Sequence, residues 1–193
     1  MDLARSIIHR FDAWLSRVEH VESFAEEPFI LLRLQRSAAA RDIRLPGRTI
    51  RAGSPVVVLH FWNERIPPIG SQGPDMEWAI QFQRRLIQSL KGAARFVQQA
   101  AVFQDAEAVG GVIVQIHLVG QDGGRLLVER LGFTVVPYHR PAGAFGEFWE
   151  NFYTWLLIWT YNRASLHSHS LLSLQRNEFW MTKDSFLERF ASS

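Results

Sequence analysis

Apolar residues recur at helical spacing near the start of the chain. Leu3, Ile7, Phe11, Trp14, Leu15 and Val18 share one stripe, with Arg5, Arg10, Asp12 and Arg17 off it. This predicts an amphipathic helix over residues 3–22. Residues 29–34, opened by Pro28, read as a strand. Residues 41–51 hold Pro46-Gly47 between two short alternating runs, a hairpin signal: proline fixes φ and glycine accepts a left-handed corner. Residues 55–61 are β-branched and apolar on both faces, the mark of a central strand. After a Pro/Gly-rich loop over 66–74, residues 75–101 form the clearest helix. Gln81, Arg84, Arg85, Gln88, Lys91, Arg95, Gln98 and Gln99 step along one face. Trp78, Phe82, Leu86, Leu90, Ala93 and Val97 run along another, with Ile80 and Ile87 widening it. Pro74-Asp75 suits its start.

A break follows around residues 103–105. Residues 110–119 read as a second buried strand, 121–131 as a short helix stopped by Gly132, and 133–138 as a third strand. Residues 144–163 read as a helix crowded with aromatics, and a short helix is expected near 184–190. Strands come first, then helices and strands alternate. This predicts an α+β fold in one domain over 1–193: a hairpin-rich first half, a central sheet and flanking helices. Residues 1–25 would be its N-terminal helix and 164–193 its tail.

Composition narrows the function classes. With 47% hydrophobic and 21% charged residues, the chain has enough apolar surface to fold, which excludes general disorder. The absence of cysteine excludes disulfides, zinc ribbons, iron–sulfur clusters and a thiol nucleophile. The pI of about 9.4 exaggerates the basic character. The net charge is only +2, and because all but two of the 21 basic residues are arginine, little titrates above neutrality. Such a charge gives no basic footprint for nucleic acid, and no nucleic-acid partner is expected. Residues 33–51 do hold Arg33, Arg36, Arg41, Arg44, Arg48 and Arg51 against Asp42 alone. That excess reads either as an attraction for phosphate or anionic lipid or, preferentially, as charge guarding a β-edge. No stretch is apolar enough to span a membrane and no secretory signal is recognisable. A cytoplasmic protein is expected, with peripheral attachment to the inner membrane a further reading.

Two segments carry a resemblance. Val58-Leu-His-Phe-Trp-Asn-Glu64 is followed by Ile66-Pro-Pro-Ile-Gly70, and Val112-Ile-Val-Gln-Ile-His117 by a short helix and Arg130-Leu-Gly-Phe-Thr-Val135. Together they resemble the YkoP-like domain family of bacteria over roughly residues 29–140, with a fainter match at 179–190. The resemblance implies an accessory domain in the context of cell-envelope polysaccharide or lipid metabolism. Some members are associated with polysaccharide deacetylases. That activity is not carried over, because its paired aspartates and His-x-x-x-His site are absent here.

The candidate site lies where the strand over 55–61 meets its loop. His60 and Glu64 would act as a base and its orienting partner, or bind a polar headgroup beside Asn63. Arg33 would offer an anion contact from the neighbouring strand. His117 would approach His60 if their strands are adjacent; a metal held by these two histidines and Glu64 is the less favoured alternative, so no metal and no cofactor are expected. Leu131-Gly-Phe133 echoes an acetyltransferase turn, but the accompanying phosphate-binding loop is not there, so a helix cap is the simpler reading. Residues 145–161 are apolar all round. Trp149, Trp155 and Trp159 would belong either to the core or to an interaction surface for lipid or a protein partner. Three functions follow. The favoured one is a non-catalytic accessory domain that binds an anionic envelope lipid, a glycan precursor or a partner enzyme. The others are a small enzyme using His60 and Glu64 on an acyl or glycosyl substrate, and an interaction module using residues 145–161.

Overall fold

A computed structural model describes residues 24, 27, 29–62, 65–68, 75–114, 123–138 and 176–192. The helices expected over 3–22 and 144–163 lie outside these residues. The described chain is α+β. Its strands are β1 (Leu32–Ala38), β2 (Ile43–Leu45), β3 (Arg48–Ile50), β4 (Pro55–Phe61), β5 (Ala108–Val114), β6 (Thr134–Pro137) and β7 (Arg176–Thr182). Its helices are α1 (Met76–Gln99), α2 (Gly123–Arg130) and α3 (Lys183–Phe190), with a 3-10 turn at Ala101–Phe103.

Five strands form one sheet in the order β1-β4-β5-β7-β6; β2 and β3 form a separate ribbon. β4 and β5 run parallel, joined through α1, and the other described pairs are antiparallel. The hairpin expected at Pro46-Gly47 is the β2–β3 turn, and Gly47 takes φ 74°. α2 ends as its sequence predicts. Gly132 has φ 92°, its N–H bonds Glu129 O, and the Phe133 N–H reaches back to Val128 O at 3.0 Å, a Schellman arrangement.

The two faces of the sheet differ. Leu32, Leu34, Val57, Leu59, Val109, Phe179 and Met181 point to the first face. There they pack against Leu86, Leu90, Ala93 and Val97 of α1 and Phe186 and Phe190 of α3. On the second face, Ile43, Leu45 and Ile50 of the ribbon cover Val56, Ala108 and Trp180. That cover occupies one end of the face.

Three expectations need correction. The first strand begins at Leu32 rather than residue 29, because Ile30 turns back to bond Glu27 O and the Leu31 N–H is taken by Ser89 Oγ at 2.8 Å. Ile80 does not widen the apolar face of α1; it is exposed to solvent. The tail holds a strand as well as the expected helix: β7 inserts between β5 and β6.

Ser89 is the buried polar link between α1 and the entry to β1. Its hydroxyl accepts from Leu31 N–H and donates to Arg85 O at 2.7 Å. Ser89→Ala leaves a buried N–H without an acceptor and is expected to cost about 2 kcal/mol, measured by urea unfolding. A loss below about 0.5 kcal/mol would show that the N–H finds another partner.

Candidate functional site

Strand alternation decides which side chains meet beyond the ribbon. On the second face β1 presents Arg33 and Gln35, β4 presents Val58 and His60, and β5 presents Gly110 and Val112. β7 adds Arg176, Glu178 and Trp180, and β6 adds Val136. Arg33 pairs with His60, Val112 with Glu178, and Glu178 with Val136. Extending the Leu59–Gly111 pairing by one step puts His60 level with Val112. One row across the sheet therefore reads Arg33, His60, Val112, Glu178, Val136. At strand spacing of about 4.8 Å, the α-carbons of His60 and Glu178 stand about 10 Å apart with Val112 between them.

Val112 lies on the middle strand of the sheet, yet it is 41% exposed. A side chain at that position is normally covered, as Val56 and Ala108 are at the ribbon end of the same face. The face is thus open over Val112, with an apolar floor between polar walls.

His60 forms one wall. Its Nε2 lies 2.7 Å from Gln35 Oε1. An amide oxygen can only accept, so Nε2 carries the hydrogen and Nδ1 keeps its lone pair. No other hydrogen bond to His60 occurs among the described residues. Burial, and then the Arg33 cation beside it, push the imidazole from its ordinary 6.5 down to about 4. At neutral pH His60 is an uncharged ring with a fixed tautomer. So depressed a pKa makes it a weak base, because general-base catalysis is best served by a pKa near the working pH.

Arg33 stands at the same wall. Its guanidinium lies 5.1 Å from the centre of the Trp62 ring, and that of Arg65 lies 3.3 Å from it. Arg65 also donates to Glu27 O at 2.8 Å, which fixes the chain just past β4.

Glu178 forms the opposite wall and is only 8% exposed. It accepts from Trp180 Nε1 at 2.8 Å, and the Arg41 guanidinium lies 3.5 Å away. Arg41 also donates to Pro137 O at 2.7 Å, tying the loop before β2 to the edge strand β6. Beyond Glu178, Arg176 lies over the Tyr138 ring at 5.7 Å.

The sequence-predicted residues fare differently. Arg33 and His60 are brought together as direct cross-strand partners. β4, which bears His60, runs beside β5, whose described residues end at Val114. Asn63, Glu64, His117, Trp149, Trp155 and Trp159 lie outside the described residues. The partner of the His60 ring is an amide, Gln35, which sequence reasoning missed although its spacing from Arg33 put it on the same face. Val112 and Glu178 were missed because the strand bearing Glu178 was not recognised. Among the described residues, no group of three His, Asp or Glu side chains could hold a metal ion.

The arginines of residues 33–51 are largely engaged. Arg36 pairs with Asp105, Arg48 with Glu107 at 2.8 Å and Arg51 with Asp42 at 2.8 Å. The Ala52 N–H and Arg51 together hold the Asp42 carboxyl below its usual range. A hydrogen bond from Ser54, with Arg48, does the same for Glu107. This supports charge-guarded β structure in preference to a phosphate trap.

The fold and this face define a small α+β domain with a mixed sheet and a polar, partly open second face. The family model of the YkoP domain matches residues 2–190, and the chain belongs to that family. No curated protein and no solved structure matches it. No helix among the described residues is long and apolar enough to cross a membrane.

Proposed function

We propose that this YkoP domain is a binding domain whose ligand lies on the open second face. The ligand would be a lipid headgroup or glycan precursor of the cell envelope. The carrying observation is the exposed Val112 on the central strand, flanked by Arg33 and His60 on one side and Glu178 on the other. Arg33 is suited to an anionic oxygen. The free lone pair on His60 Nδ1 is suited to accept from a hydroxyl. Val112 is suited to the apolar face of a sugar ring or a glycerol backbone. A neutral imidazole oriented by an amide favours binding over general-base catalysis, which lowers the rank of the enzyme reading. Peripheral attachment to the inner membrane fits a ligand of this kind.

The test is titration of the protein with N-acetylglucosamine 1-phosphate and glycerol 3-phosphate, followed by the methyl resonances of Val112. One of them is expected to shift those methyls at saturation. Arg33→Gln is expected to weaken that binding at least about 10-fold, the worth of one charge-assisted hydrogen bond. Unmoved Val112 methyls with both probes would count against a phosphorylated polar ligand here.

A further inference from the structure

The solvent face of α1 has a composition that packing does not explain. Between Glu77 and Asp105 the chain contains no carboxylate. Gln81, Arg84, Gln88, Lys91, Arg95 and Gln99 follow one another at three- and four-residue steps and line a single side of the helix. Among the described residues neither Arg84 nor Lys91 has an ion-pair partner. The neighbouring helix α3 carries exposed Asp184 and Glu188, and neither pairs with this stripe. The line continues at its N-terminal end into Met76 and Ile80, which are 76% and 44% exposed. From Met76 to Arg95 it runs about 30 Å along the helix.

We infer that this stripe of α1 docks on the surface of an anionic lipid bilayer. Arg84, Lys91 and Arg95 face the headgroups, and Met76 and Ile80 enter the boundary of the acyl chains. The two apolar side chains decide between anionic surfaces, because phosphates of a nucleic acid have no use for them. Three cations would also give nucleic acid only a shallow electrostatic contact. The first face of the sheet is beneath α1, so this surface is separate from the open second face, and docking here does not require the ligand proposed above.

The experiment is co-sedimentation of the full chain with vesicles of phosphatidylcholine alone or mixed with phosphatidylglycerol, at low and high salt. Binding is expected with phosphatidylglycerol vesicles only, and to fall with salt. The double variant Arg84→Gln/Lys91→Gln is expected to bind about 30-fold more weakly, since each basic residue contributes about a factor of five near such a surface. Ile80→Asn is expected to weaken binding as well. Arg44→Gln, an exposed arginine on the ribbon side of the sheet, is expected to change nothing. These positions are exposed or partly so, and the circular dichroism of each variant should match the parent. No binding at low salt, equal binding to both vesicle types, an unaffected double variant, or an equal loss in Arg44→Gln would each overturn the proposal. Tighter binding to duplex DNA than to the vesicles, insensitive to Ile80→Asn, would replace the membrane by nucleic acid.

Discussion

Gly110→Ala is expected to destabilise the protein by about 3 kcal/mol or more, the upper part of the range for overpacking. Gly110 lies on the middle strand, opposite Trp180. A Cβ there would stand 2.2 Å from the Phe179 carbonyl oxygen and 2.3 Å from Cε3 of the Trp180 indole. Neither can step aside cheaply. The carbonyl is part of the β5–β7 ladder, and the indole is wedged against Ile43, Leu45 and Ile50 of the ribbon. Relief would require β7 to move off β5 or Trp180 to leave its seat. In a domain of this size the loss corresponds to a fall in Tm of about 6–12 °C. Displacing the indole also removes its 2.8 Å hydrogen bond to Glu178, so the same variant should disturb the wall of the open face. A Gly110→Ala protein within about 0.5 kcal/mol of the parent would mean that Trp180 does not lie across the strand.

The second large effect is a pH dependence owed to His60. In the folded chain its pKa is about 4, against an ordinary 6.5. Above pH 6.5 the ring is neutral in both states and contributes nothing. Between 6.5 and 4 the unfolded chain takes up the proton and the folded chain does not, so stability falls as the pH falls. At about 1.4 kcal/mol per pH unit, the full interval amounts to about 3 kcal/mol. Asp42 and Glu107 have depressed pKa values and also lose stabilisation on acidification, but they do so in parent and variant alike. The difference between the parent and His60→Gln isolates the histidine. The parent should lose about 3 kcal/mol more than His60→Gln between pH 7 and pH 4. A stability difference that does not vary with pH would show an imidazole that takes its proton as readily folded as unfolded.

Much of the fold was legible because the relevant signals are local. Pro46-Gly47 marks a tight turn, Asp75 caps a helix by accepting from the Trp78 N–H at 2.7 Å, and Gly132 closes another by backbone geometry alone. Residues 55–61 are apolar on both sides because both sides are packed, against α1 below and partly the ribbon above. β7 was not legible for the converse reason. Its second-face residues are Arg176 and Glu178 at one end and Trp180 at the other, so no simple alternation of apolar and polar residues marks it. It also pairs with β5, more than sixty residues earlier in the chain, and such long-range pairing leaves no local trace.

The site divides along the same line. His60 stood out as a histidine inside an apolar strand, and Arg33 followed from the idea of a neighbouring strand. Their cross-strand pairing realises both. Gln35 carries no chemical label in a sequence; only strand parity puts its amide against the ring. Glu178 and Val112 become parts of one site only once β7 is known to lie beside β5. The YkoP resemblance, suggested by residues 58–70 and 112–135, extends in the family match over residues 2–190.

The open face over Val112 is proposed to hold a ligand. Its most direct test is native mass spectrometry of the protein purified from its own cells, beside Val112→Trp, with lipid and glycan analysis of both samples. The tryptophan fills the open floor without entering the core, so the variant should keep the parent's circular dichroism. A bound lipid or glycan is expected on the parent and a bare chain for Val112→Trp. A bound molecule retained equally by both proteins, or a parent as bare as the variant, would contradict it.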